Sequence, residues 1–114
     1  MKVRYGYIYT ADLNPRFGTE PGKIRPILVL QTDLLNDTDH PSTLVCLLTT
    51  RVRKEIELLR VHLKKGEAGL KQDSDIMIDQ VRAIDNRRLL AMLGPLPRHT
   101  LQAVQERLRT LFEL

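Results

Sequence analysis

The chain has 114 residues, 42% hydrophobic and 28% charged, with a formal net charge of +4 at pH 7. That length suits one domain with one modest core, and the composition is far from that of disordered chains. No apolar run approaches the ~20 residues of a membrane-spanning helix, and Met1-Lys2-Val3-Arg4-Tyr5-Gly6 does not lead into a signal-peptide core, so a cytoplasmic protein with no membrane association is expected.

Val3 to Ala11 alternates, with Val3, Tyr5, Tyr7 and Tyr9 on one parity, and reads as a strand with Gly6 as a bulge or bend point. Asp12-Leu13-Asn14-Pro15 is turn chemistry and ends it. The following loop to Lys23 is long for a hairpin, the kind of connection that often binds something. It closes on Gly22-Lys23-Ile24-Arg25-Pro26 and runs into the apolar stretch Ile27 to Gln31. Pro26 offers no backbone donor and biases Arg25 toward an extended conformation. A permanently charged guanidinium thus stands at the mouth of a buried strand, a place suited to an anion.

Thr32 or Asp33 caps a helical turn through Asn36. Thr43 to Thr49 is a second continuous apolar run and reads as a central strand. Its lone cysteine, Cys46, reads as a small buried hydrophobe. Arg51, Arg53 and Lys54 form a basic loop after it. Ile56 to Leu63 fits helix or strand, and the alternation of Leu59, Val61 and Leu63 with Arg60 and His62 favours strand. Ser74 to Asp85 alternates as one or two strands. Asp85 or Asn86 then caps a short helix from Arg87 to Ala91, and Met92-Leu93-Gly94-Pro95-Leu96 reads as an extended connector. From Pro97 to Leu114 a helix places Leu101, Val104, Leu108, Leu111 and Phe112 on one face. The expected class is mainly β with helices (α+β): a mostly antiparallel barrel or curled sheet under one long helix, spanning residues 1–114 as a single domain.

His40, His62 and His99 are scattered without ligand spacing, so no metal site is expected, and there is no nucleotide-binding fingerprint or nucleophile elbow. No cofactor is expected. The mild basic excess favours polyanionic partners such as nucleic acid without establishing one.

The ordered series Gly18-Thr19-Glu20, Gly22-x-x-Arg25-Pro26, Thr49, Gly69-Leu70-x-x-Asp73-Ser74, Asp79-Gln80-Val81-Arg82-Ala83-Ile84-Asp85 and Arg88-Leu89 resembles the MazF/PemK family of toxin endoribonucleases. The resemblance covers nearly the whole chain. It implies a homodimer of SH3-like barrels that cuts single-stranded RNA without metal at short preferred sequences. It further implies a labile cognate antitoxin that lays an acidic tail across the RNA groove. By position, the family's arginine is Arg25, its hydroxyl at the end of the next strand is Thr49, and its small polar residue after the loop glycine is Thr19. The chain departs from relatives at Pro21, often glutamine, and at Met77, where some members carry an arginine paired with the aspartate matched by Asp79.

These positions suit the chemistry. RNA carries its own nucleophile, the 2′-hydroxyl, so the demanding part is the charge that builds on the phosphoryl oxygens. Arg25 is expected to stabilise it and to supply a proton to the 5′-oxygen, with Thr49 anchoring the phosphate. Arginine is a poor base, so the group that removes the 2′-proton is open, and Glu20 is one candidate. Arg16, Thr19, Lys23, Arg51, Arg53 and Lys54 are expected to bind RNA, with Asp79 and Gln80 as secondary groove residues and Arg82 structural. The alternative is a CcdB-like toxin that binds a protein target such as DNA gyrase. Such proteins use a tryptophan-containing tail, and this chain has no tryptophan.

Overall fold

The computed structural model describes residues 1–15, 18–19 and 23–114. Among these residues the chain order is β1 (Tyr7–Asp12), β2 (Ile24–Val29), a one-turn helix α1 (Asp33–Asn36), β3 (Ser42–Thr49), β4 (Arg60–Leu63), β5 (Ser74–Asp85), β6 (Leu89–Pro95) and the helix α2 (Arg98–Leu111). Short 3₁₀ turns at Glu67–Gly69 and Asn86–Arg88 precede β5 and β6.

The strands make one sheet in the order β4-β5-β3-β2-β1-β6, with antiparallel pairing throughout. The two apolar runs, β2 and β3, occupy its middle, where strands covered on both faces belong. Alternation splits their side chains between two cores. Ile27, Val29, Val45 and Leu47 join Tyr9, Ala11 and Leu13 in one, while Leu28, Cys46 and Leu48 join Ile8, Val61, Leu63, Ile76 and Ile78 in the other. Helix α2 closes the second core with Val104, which is fully buried, flanked by Leu101 and Leu108. Burying such a side chain contributes about 1.5–3 kcal/mol. No helix of the described residues is long and apolar enough to cross a membrane.

Several boundaries differ from the sequence reading, each for a local reason. Strand β1 starts at Tyr7 and not at Val3, because Gly6 takes a φ of +79° and Tyr7 N–H closes a turn on Arg4 O. Strand β2 takes in Ile24 and Arg25, which pair with Asp12 and Ala11. Only Arg60–Leu63 of the ambiguous segment is strand. The helix expected from Arg87 to Ala91 is a 3₁₀ turn that ends at Arg88, and the expected connector is instead most of strand β6. At the sheet edge one side of a strand needs no partner, so Pro95 is tolerated at its end. Helix α2 stops at Leu111, and its apolar face is covered only as far as Leu108: Leu111 is 41% and Phe112 55% exposed.

Candidate active site

Strands β2 and β3 pair from Val29↔Val45 to Ile27↔Leu47, and the same register carried onward sets Arg25 opposite Thr49. Both side chains share the parity of Ile27 and Leu47, so they sit on one face at one end of the sheet. Arg25 is half-buried, and its Nη1 donates to Leu48 O at 3.2 Å. That bond aims the guanidinium across β3 beside Thr49. Burial first, and then the positive charge of Arg51, lower the Arg25 pKa from its ordinary value. Two guanidinium groups close enough to repel one another gain from an anion placed between them.

Thr49 Oγ1 accepts from Arg51 N–H at 3.2 Å. An acceptor role for that oxygen leaves the hydroxyl proton available as a donor to something else. The turn that supplies Arg51 N–H is itself held from below. Asp75 Oδ2 accepts from Arg53 N–H at 2.8 Å and from Arg60 Nη1 at 2.9 Å, and the same Arg60 Nη1 reaches Arg51 O at 3.1 Å. The other carboxylate oxygen lies 2.5 Å from His62 Nδ1. Asp75 is completely buried and lies directly between Thr49 on β3 and His62 on β4 in the sheet register. Burial pushes its carboxyl up, but the Arg53 N–H, His62 and Arg60 outweigh that and hold it below the ordinary carboxylate value.

Neither Asp75 nor Arg60 was singled out from sequence. Their meaning depends on cross-strand register, which residue types do not encode. The one available signal was a carboxylate beside Ile76 in a strand otherwise destined for burial, since such a group requires partners. His62 keeps the exposed strand position expected of it, with its ring nitrogen turned to Asp75.

The remaining site residues scatter more widely. Between Cys46 and Leu48 the partner on β5 jumps from Val81 to Ile76, so Asp79 and Gln80 lie in a wide bulge and not at a regular edge. Bulges of this kind re-aim side chains near functional sites; Asp79 is exposed and Gln80 half-buried. Arg53 pairs with Glu55, both largely exposed. Lys54 lines a groove beside α2 with Glu57, Arg60, His62 and Arg107. Thr19 and Lys23 are exposed in the β1–β2 loop. That loop is tied at its base: Lys23 N–H donates to Asn14 Oδ1 at 2.9 Å, Leu13 N–H to Lys23 O at 2.9 Å, and Arg88 Nη1 to Asp12 O at 3.0 Å. Arg16 and Glu20 lie outside the described residues. Arg82 is half-buried opposite Val45. Cys46 is buried with its thiol on Met77 O, and burial pushes its pKa up to about 12, which leaves it an inert core residue. Among the described residues no group of three or more His, Cys, Asp and Glu side chains could hold a metal ion.

Comparison with known proteins bears on the family and the fold of the whole chain. The family model described as a PemK-like, MazF-like toxin of type II toxin-antitoxin systems matches residues 4–112. Endoribonuclease EndoA of Bacillus subtilis (strain 168) is 34% identical over 109 residues, covering 96% of this chain and 93% of that protein. The crystal structure of MazF from Deinococcus radiodurans superposes with a TM-score of 0.84 at 24% identity, covering 100% of this chain and 99% of that one. A MazE-MazF structure from the same organism gives a TM-score of 0.77 at 22% identity, covering 100% of this chain and 99% of that one.

Proposed function

The chain belongs to the family of PemK-like, MazF-like toxins of type II toxin–antitoxin systems, and on that footing we propose that it is a single-domain, metal-independent endoribonuclease. It acts in the cytoplasm, as a homodimer, on single-stranded RNA at short preferred sequences. The relation to an endoribonuclease over most of both chains supports the reaction class. The observation that carries the reading is Arg25, braced on Leu48 O beside Thr49 with Arg51 close by.

In the proposed reaction the 2′-oxygen attacks the adjacent phosphorus as Glu20 takes its proton. The forked N–H groups of Arg25 receive the charge growing on the phosphoryl oxygens. Thr49, its oxygen already accepting from Arg51 N–H, donates its proton to one of them. The bond from phosphorus to the 5′-oxygen breaks, and Arg25 supplies the proton that oxygen needs. The products carry a 2′,3′-cyclic phosphate and a 5′-hydroxyl. Thr19, Lys23, Arg51, Arg53, Lys54 and Arg16 hold the flanking RNA, with Asp79 and Gln80 at the groove wall. The partner that silences the site is a cognate antitoxin, and its acidic tail would offer Arg25 and Arg51 carboxylates where RNA offers phosphates.

The test is to incubate purified protein with a long single-stranded RNA in EDTA and map the new ends. Cyclic-phosphate and 5′-hydroxyl ends are expected, and a 2′-deoxy nucleotide at the scissile position should block cutting there. Arg25→Ala should lower cleavage at least about 10²–10³-fold, the usual cost of removing a donor to a developing oxyanion, with thermal unfolding unchanged. A 5′-phosphate product, a strict metal requirement or a fully active Arg25→Ala protein would sink the proposal.

A further inference from the structure

The buried carboxylate of Asp75 has no part in the chemistry above, yet its bonds converge on the catalytic edge of β3. One oxygen gathers Arg53 N–H and Arg60 Nη1, and Arg60 bridges onward to Arg51 O. Two points of the turn that follows Thr49 are therefore pinned to a single group with no solvent exposure. The first of those points is the carbonyl of Arg51 itself, the residue whose N–H fills the acceptor site of the Thr49 hydroxyl and whose charge acts on Arg25. Val52, the apolar residue of the turn, is only half-buried, and Arg51, Arg53 and Lys54 are all exposed. A buried charge with well-formed hydrogen bonds holds a fixed geometry, because any displacement leaves it unsolvated and unpaired.

Resting on the ribonuclease reading, we propose that Asp75 is a positioning residue for RNA cleavage: through Arg60 and the Arg53 N–H it fixes the turn after β3, and through that turn the direction of the Thr49 hydroxyl. The residue touches no substrate. It acts on the reaction only by holding the Arg51 N–H where Thr49 meets it, so that the hydroxyl proton is presented to the phosphate and not to its own backbone. Arg60 is the second member of the device, since a single Nη1 spans Asp75 and Arg51 O.

A double-substitution cycle separates this role from a general effect on folding. Single-turnover cleavage of one short RNA is measured for the parent protein, Asp75→Asn, Thr49→Ala and the double variant, with long incubations for the slow ones. Asp75→Asn should lower the maximal rate about 10²-fold, the scale of a small misplacement at a reacting centre. The protein concentration giving half that rate should move by less than the rate does, about tenfold at most, since only the Arg51–Lys54 turn is loosened while Thr19, Lys23 and Arg25 lie on other segments. In the Thr49→Ala background the same substitution should cost less than about threefold, because the hydroxyl it orients is gone. Losses that multiply in the double variant would overturn the inference. Where Asp75→Asn fails to unfold cooperatively, Arg60→Met takes its place. It removes the bridge to Arg51 O, leaves Arg53 N–H and His62 on Asp75, and is held to the same comparison with Thr49→Ala. A parent protein that cuts no RNA refutes the ribonuclease reading itself, and the role of Asp75 with it. An active parent with multiplying losses refutes the positioning role alone.

Discussion

At the level of single residues, the geometry around Arg25 asks for a fork and not merely a charge. One Nη1 is committed to Leu48 O, and the remaining N–H groups are therefore held in a fixed plane beside Thr49. A lysine would keep the positive charge but carries a single flexible ammonium, which cannot both hold that carbonyl and present two parallel donors. Arg25→Lys should therefore cut RNA about 10²-fold more slowly or worse while binding a 2′-deoxy analogue within a few-fold of the parent. Cleavage near the parent rate would show that charge alone suffices. The place of Arg25 at the mouth of a buried strand was legible from Pro26 and the apolar run behind it; Thr49 was legible only as the end of the next run, and its part in a site came from the family resemblance. Asp75 was not, since its role depends on which residues of β3 and β4 stand beside it.

Among the elements, β6 is the one that sequence patterning misread. Gly94 and Pro95 look like breakers, and Leu89-Leu90-Ala91 looks helical after a good cap. The strand forms because β1 has an open edge that Leu89 to Pro95 can pair along, from Ala11↔Leu89 to Tyr7↔Pro95, with register shifts that absorb the irregular residues. Local propensity lost to tertiary pairing. The same element depends on a close backbone crossing with the 3₁₀ turn at Glu67–Gly69. Gly69 has a φ of +76°, and a Cβ there would stand 2.4 Å from Leu93 O. Gly69→Ala meets both a strained backbone and a contact with main chain that cannot rotate away, so it should destabilise the protein by about 2 kcal/mol or more. The urea midpoint would fall accordingly, and an unchanged midpoint would mean the crossing is looser than the geometry says. The continuous runs of β2 and β3 and the α2 stripe through Leu108 were legible, because patterning alone dictates a buried strand or an amphipathic helix.

For the molecule as a whole, acid sensitivity follows from its depressed carboxyls. Asp75 is held below its ordinary value by Arg53 N–H, His62 and Arg60 against the opposing effect of burial, and Asp33 by Tyr5 N–H and Asn36. A carboxyl lowered on folding contributes stability above its unfolded pKa and loses it as pH falls through the folded value. The loss should set in below about pH 4, the unfolded carboxylate range. Urea midpoints recorded from pH 6 down to pH 3 should therefore fall, and the fall should be shallower in Asp75→Asn. Asp85, lowered to about 2 by Arg87, is exposed and adds little to that slope. The sheet order has a consequence of another kind, one of timing. Strand β1 lies between β2 and β6, so the strand that flanks Arg25 keeps a bare edge until Leu89 to Pro95 have been synthesised. Arg25 and Thr49 are synthesised early, but the sheet that holds them is sealed late. A chain of this topology can close its sheet only after Pro95 has been made.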